Sequence, residues 1–215
     1  MLVMGILNVT PDSFADGGRH NEFEAAVARG IEMIAEGVDI IDVGGESTRP
    51  GAERVSEEEE IARTIPVIAE LAKHGATISI DTMRASTAEA AIKAGAAIIN
   101  DVQALQGEDA MTVAAASGAP VVMMHMKGTP ETMQQDPVYD FAPVEIYEFL
   151  KRRVAAAIAA GIPASSIAID PGFGFGKTVT HNLQLVNWLS LFHGLGVVVL
   201  FGASRKSSIA KISAG

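Results

Sequence analysis

At seven places in this 215-residue chain a polar group stands at, or within three residues behind, the end of a short apolar run. They are Asn8, the stretch Glu46–Arg49, Asp81, Asn100, His125, Asp170 and the stretch Ser204–Lys206. Taken singly, an Asp or Asn in such a position caps a helix or turns the chain as readily as it does chemistry. Taken together they supply two Asp, two Asn, a Lys and two Arg, a set that suits a flat heterocycle with an amidine edge and a ring carbonyl. A carboxylate accepts paired hydrogen bonds from adjacent ring N–H and amino groups, while a lysine donates to the carbonyl oxygen. The same set also suits divalent-metal hydrolysis, in which carboxylates ligate the ion. Spacing alone leaves both readings open.

The run Asp170-Pro171-Gly172-Phe173-Gly174-Phe175-Gly176-Lys177-Thr178 has the look of a phosphate loop. A Walker loop needs Gly five residues before the Gly of Gly-Lys, and Pro171 stands there. The glycines also miss the spacing of the dinucleotide fingerprint. The loop instead offers two flat rings between glycines that let a ligand approach the backbone, with core packing of those rings as the plainer alternative. His125 has no thiol or histidine partner at ligand spacing, so it reads as structural and carries no assigned role; the other four histidines are equally unpaired in sequence.

These groups need a frame. The apolar runs are Leu2–Leu7, Ile40–Val43, Thr77–Ile80, Ala97–Ile99, Val121–Met124, Ile167–Ile169 and Val197–Phe201. They are short, rich in Val and Ile, and apolar without alternation, as strands buried on both faces are. Between them lie helical stretches. Ser56 with Glu59 forms a capping box ahead of Ile61, Ile65, Ile68 and Leu71, and Arg84–Ala94 and Val144–Ala160 are alanine-rich helices. Strand–helix units at roughly 30-residue intervals predict a parallel α/β sheet. A doubly wound sheet would spread the strand ends along an edge. A (β/α)8 TIM-type barrel gathers them on one face, and the placement of the polar groups favours it, although barrels typically need roughly 250 residues and only seven βα units are visible. No linker or low-complexity tract divides residues 1–215, which reads as a single domain.

Composition narrows the function. Sixteen Lys and Arg against twenty-six Asp and Glu give a net charge of −10. With no basic stripe, nucleic acid is excluded as a partner. Cysteine is absent, which rules out disulfides and thiolate metal sites. No apolar run approaches the roughly 20 residues of a membrane span, and no signal peptide is evident, so a soluble cytoplasmic protein is expected.

Met4-Gly5-Ile6-Leu7-Asn8-Val9-Thr10-Pro11-Asp12-Ser13-Phe14 resembles the opening signature of the dihydropteroate synthase family, and Asp39–Pro50 resembles its second signature. The similarity continues in order through Ser79–Thr82, Ile98–Asp101, Met123–Met126, Asp170–Lys177 and Gly202–Ser207. The resemblance implies a pterin-binding TIM barrel and a transferase of folate biosynthesis that is a sulfonamide target. Its reaction is the displacement of pyrophosphate from 6-hydroxymethyl-7,8-dihydropterin pyrophosphate by the amine of p-aminobenzoate. It further implies that Asp81, Asn100, Asp170 and Lys206 hold the pterin, with Met124 lining the pocket. Thr48, Pro50, Phe14, Phe175 and Ser207 would form the p-aminobenzoate pocket. Asn8 would help bind Mg2+ at the pyrophosphate, and Asp12 and Arg49 would come from loops that close over the site. Asp12, Arg49 and Lys206 are the implied catalytic residues. Arg49, Arg205 and Lys206 supply local positive charge, and a dissociative mechanism is expected.

The chain ends at Gly215, within what the resemblance makes helix seven. The family's eighth βα unit and its Arg-x-His motif are therefore expected to be missing, and with them the last-helix surface of the family-type homodimer. Two other readings compete: a non-catalytic pterin-binding module, and the methyltetrahydrofolate-binding barrel of methyltransferases. The joint presence of Ser47-Thr48-Arg49-Pro50 and Ser204-Arg205-Lys206-Ser207 favours the synthase.

Overall fold

The computed structural model describes residues 1–10, 18–47, 54–130, 132–204 and 206. Its strands are β1 (Met4–Asn8), β2 (Ile40–Gly44), β3 (Ile78–Asp81), β4 (Ile98–Asp101), β5 (Val121–Met124), β6 (Ile167–Asp170) and β7 (Val198–Val199). The helices are α1 (Gly18–Ala35), α2 (Glu57–Lys73), α3 (Ala85–Ala94), α4 (Ala110–Ser117), α5 (Ala142–Ala159) and α6 (Val179–Asn187). The apolar runs of the sequence are the strands, with one recurring difference. β1, β3, β4 and β6 continue through the polar residue behind the run, because a ladder is made by backbone groups and is indifferent to side-chain polarity. The last run shortens to Val198–Val199, although Leu200 still donates its N–H to the Ile169 carbonyl at 2.8 Å.

The described residues pack as two compact units. In the first, β1 to β4 pair in chain order and in parallel, with Met4 opposite Ile40, Ile41 opposite Ile78, and Ser79 opposite Ile98. Helices α1, α2, α3 and α4 pack each on the next, and α2 lies on β2 and β3. Ile41, Val43, Ile78 and Ile80 meet Val67, Ile68 and Leu71 in a core closed to solvent. Gly30 of α1 is part of that fit, since a Cβ there would lie 2.6 Å from Leu71 Cδ2. Truncating Leu71 to Ala would cost about 2–5 kcal/mol. Ser56 caps α2, its Oγ accepting from the Glu59 N–H at 3.2 Å, while the Glu59 carboxylate accepts from Arg63 Nε at 2.8 Å.

In the second unit β5, β6 and β7 are likewise parallel and in chain order, Val121 opposite Ile167 and Ala168 opposite Val198. Ile146, Leu150 and Val154 of α5 are buried with the four residues of β5. A reciprocal cap opens α6: the Thr178 hydroxyl accepts from the His181 N–H, and His181 Nδ1 accepts from the Thr178 N–H, both at 3.2 Å. That gives one unassigned histidine a structural role. Neither unit shows the reversal of strand order at which a doubly wound sheet turns back, so the barrel-type order is the one found.

Candidate functional site

In the first unit the expected residues fall on one line. Asn8, Gly44, Asp81 and Asn100 are consecutive partners in the parallel register, at the carboxyl-terminal ends of β1 to β4. Partners in one register row project to the same face. Gly44 leaves a gap in that row: a Cβ on it would lie 3.5 Å from Asp81 Oδ2 and 3.6 Å from Asn8 Oδ1. Two oxygen-bearing side chains thus flank a bare piece of backbone, a slot into which a flat ring could come close. One row deeper stands Asp42, which is 4 % exposed and accepts from Asn100 Nδ2 at 2.9 Å. Burial pushes the Asp42 carboxyl above its ordinary pKa, opposed by its polar neighbours Ser79 and Asn100.

Behind this row lies a second polar cluster. Glu60 of α2 is buried and accepts from Thr82 Oγ1, Thr87 Oγ1 and Arg84, each at 2.8 Å. Arg84 also donates to Glu46 Oε2 at 2.5 Å and to the Val55 carbonyl at 2.7 Å. Burial works against the Arg84 charge, but Glu60 and Glu46 outweigh it and raise the guanidinium pKa. The turn after β3 is thereby tied to α2 and to the segments that carry Glu46 and Val55.

In the second unit Met124 and Asp170 are register partners at the ends of β5 and β6, both buried. The Asp170 carboxylate accepts from the Gly172 N–H at 2.7 Å and so opens the glycine-rich turn. The turn's conformation requires glycine. Gly172, at φ 70°, faces the His125 carbonyl so closely that a Cβ would collide with it. The turn is pinned from outside as well: Gly174 N–H donates to Asn182 Oδ1 at 2.8 Å, and Tyr139 Oη donates to the Gly176 carbonyl at 2.8 Å. The two rings divide. Phe173 is core, packed on Phe201 with centroids 5.6 Å apart, whereas Phe175 is half-buried with Lys206 Nζ 3.9 Å from its ring centroid. The plainer reading holds for the first ring only.

Lys177, which closes the turn, is buried. Its Nζ contacts His125 Nδ1 at 3.0 Å and donates to the carbonyls of Phe175 at 2.8 Å and His125 at 3.3 Å. Burial lowers its pKa to about 7, with Asp170 opposing that shift and Lys206 and Lys127 adding to it. His125, packed edge-on against Phe149 at 4.9 Å, is held neutral, first by burial and then by the Lys177 charge. Its expected structural character is what the contacts describe.

Asp12, Phe14, Thr48, Arg49, Pro50, Arg205 and Ser207 lie outside the described residues. Among the described residues no group of three His, Asp or Glu converges as a metal cage. Sequence reasoning missed Asp42, Glu60 and Lys177. Asp42 had a usable signal, a lone carboxylate inside the apolar run Ile40–Val43. Glu60 had none, being the last of four consecutive glutamates at a helix start.

A family model described as pterin binding enzyme matches residues 4–215. The dihydropteroate synthase of Escherichia coli (strain K12) is 47 % identical over 211 residues, covering 98 % of this chain and 75 % of that protein. The one from Bacillus subtilis (strain 168) is 47 % identical over 213 residues, covering 98 % and 72 %. Among solved structures, the Xanthomonas albilineans dihydropteroate synthase with 4-aminobenzoic acid is 48 % identical and covers 99 % of this chain and 76 % of its own, with a TM-score of 0.93. The Yersinia pestis enzyme in a sulfonamide drug complex is 45 % identical, covering 100 % and 78 %, also with a TM-score of 0.93. The fold class is thus α/β of TIM-barrel type.

Proposed function

Because the chain belongs to the family of pterin-binding enzymes, and its relatives there are dihydropteroate synthases, we propose a reading of that reaction in terms of its own residues. The chain is a transferase of folate biosynthesis. It condenses 6-hydroxymethyl-7,8-dihydropterin pyrophosphate with p-aminobenzoate to give 7,8-dihydropteroate and pyrophosphate, and the similarity favours this over a non-catalytic module or a methyltransferase barrel. In this reading Asp81, Asn100, Asp170 and Lys206 hold the pterin and Met124 lines its pocket. Thr48, Pro50, Phe14, Phe175 and Ser207 receive p-aminobenzoate, and Asp12 and Arg49 complete the catalytic set with Lys206.

The observation that carries this reading is the register row Gly44–Asp81–Asn100, where a glycine leaves the backbone bare beside the Asp81 carboxylate, an acceptor suited to a ring edge. In the reaction the bond from the pterin methylene to the pyrophosphate oxygen breaks, its electron pair leaving on oxygen. The amine nitrogen forms the new C–N bond and gives up one proton. Carboxylates at Asp81 and Asp170 stabilise positive charge on the pterin, while Lys206 and Arg49 oppose the negative charge of the leaving group. Mg2+ takes few protein ligands when phosphates share its shell, so a single amide oxygen from Asn8 fits it. When bound it would supply positive charge at the departing pyrophosphate. A single pterin-binding barrel domain over residues 1–215, a family-type homodimer and a cytoplasmic setting belong to the same reading. No described helix is long and apolar enough to cross a membrane.

The test is pyrophosphate release that requires both substrates, joined to calorimetry with 6-hydroxymethyl-7,8-dihydropterin. Asp170→Asn should weaken pterin binding by about 2 kcal/mol or more, because a buried charge-assisted pair is lost. Release without p-aminobenzoate would overturn the reaction, and unchanged affinity would reduce Asp170 to a turn residue.

A further inference from the structure

Strand β2 is apolar except at one residue, and that residue is buried. Ile41 and Val43 are 1 % and 0 % exposed, and Asp42 between them is 4 % exposed. A carboxylate there is costly unless something needs it. Among the described residues its one hydrogen bond of good geometry is the 2.9 Å contact from Asn100 Nδ2, reaching across β3 from β4. Asp42 Oδ1 and the neighbouring Ser79 hydroxyl are buried without a hydrogen-bond partner of good geometry among the described residues. Structural economy does not explain this arrangement, since an apolar residue would pack β2 at lower cost.

The pair makes sense through the other end of Asn100. A carboxamide presents a donor group and an acceptor oxygen, and nothing in its shape decides which faces a ligand. The Asp42 Oδ2 that faces Asn100 accepts whether the carboxyl is ionised or carries a proton on Oδ1, so the amide nitrogen is drawn to it and the amide oxygen is turned away. The reversed amide would set two oxygens against each other in a buried place. Asn100 stands in the register row of Asp81, beside the Gly44 gap, where a ring edge would come to it. We propose that Asp42 is a positioning residue: by fixing the Asn100 amide it dictates that Asn100 offers the pterin an acceptor, which selects for a donor at that edge of the ring. The proposal rests on the reading of Asn100 as a pterin contact.

A double-mutant cycle with 6-hydroxymethyl-7,8-dihydropterin as the titrant tests it. Asp42→Val should weaken binding about tenfold in the otherwise native chain, the size expected of one misdirected buried hydrogen bond. In an Asn100→Ala background the same change should add less than about twofold, because the group it acts through is gone. Asp42→Asn keeps the shape and one acceptor oxygen, and should lie between the native chain and Asp42→Val. If Asp42→Val does not fold, the cycle is run with Asp42→Asn, where a loss that vanishes beside Asn100→Ala carries the same meaning. Losses that add in the double variant, or native affinity in the single one, would overturn the positioning role while leaving the functional reading intact. A native chain that binds no dihydropterin would overturn both.

Discussion

The two units each bury a charge near their strand ends, and they satisfy it differently. In the first unit Glu60 meets an opposite charge on Arg84 and two hydroxyl donors, Thr82 and Thr87. In the second, the hydrogen bonds of Lys177 among the described residues go only to neutral acceptors, a ring nitrogen and two carbonyls. A charge held by a charge, with its remaining lone pairs filled, ties neighbouring segments into one piece. A charge held by neutral dipoles has little to offset its desolvation, and the Lys177 ammonium accordingly loses its proton near neutrality. The first arrangement braces the turn behind Asp81. The second places an adjustable proton beside Asp170 and the glycine-rich turn.

The sharpest way to break this contrast is to remove Glu60. Glu60→Ala strips the acceptor from two buried hydroxyls and, among the described residues, leaves Arg84 with Glu46 alone as its carboxylate partner, so it should destabilise the fold by about 3–5 kcal/mol. Urea unfolding would measure it, and a loss below about 1 kcal/mol would mean the cluster is not a brace.

Lys177→Met should act more mildly and with a pH signature. Three acceptors lose their donor, at a cost of about 1–3 kcal/mol near neutral pH. Between a native pKa of about 7 and the higher value of an unfolded lysine, the unfolded chain binds the extra proton, so the native protein gains stability as pH rises through that window. The variant lacks that gain. The stability of the native protein relative to Lys177→Met should therefore grow by about 1.4 kcal/mol per pH unit at most from pH 7 upward. Parallel pH profiles for the two proteins would contradict the lowered pKa.

Asp101 offers the smallest and finest test. Its buried carboxylate accepts from the N–H groups of Gln103 at 2.6 Å and Leu105 at 3.0 Å, ahead of a turn in which Ala104 and Leu105 have φ of 56° and 57°. Desolvation raises its pKa to about 6 against those bonds. With a raised pKa the native state keeps its proton longer, so this group's contribution to stability falls as pH rises from about 4 to 6. Asp101→Asn should cost about 1 kcal/mol at pH 4 and remove that fall. Thermal unfolding of both proteins at pH 4 and pH 6 would reveal it, and an identical pH response would sink the assignment.

Much of the site is legible in the chain's residues alone. Asp81, Asn100 and Asp170 stand out because they follow apolar runs, and a strand buried on both faces leaves few other places for such groups than its ends. Gly44 is intelligible in the sequence only as part of a signature; its use, the gap between Asn8 and Asp81, needs the register. The glycine-rich run is excluded as a phosphate loop by spacing, yet spacing does not distinguish Phe173, which is core, from Phe175, which lies beneath Lys206.

What the sequence determined by itself is everything that depends on local period and backbone demand: the parallel strands, the helices between them, the cap at Ser56, and the placing of polar groups at the strand ends. What only the tertiary structure decided is the pairing of buried charge. Arg84 finds Glu60 across 24 residues, Lys177 finds His125 across 52, and Asn100 finds Asp42 across 58. No local pattern encodes those meetings. A glutamate in an acidic first turn or a lysine after a glycine looks solvated until neighbours from distant segments close around it. The cost of burying a charge then depends entirely on which groups those neighbours bring.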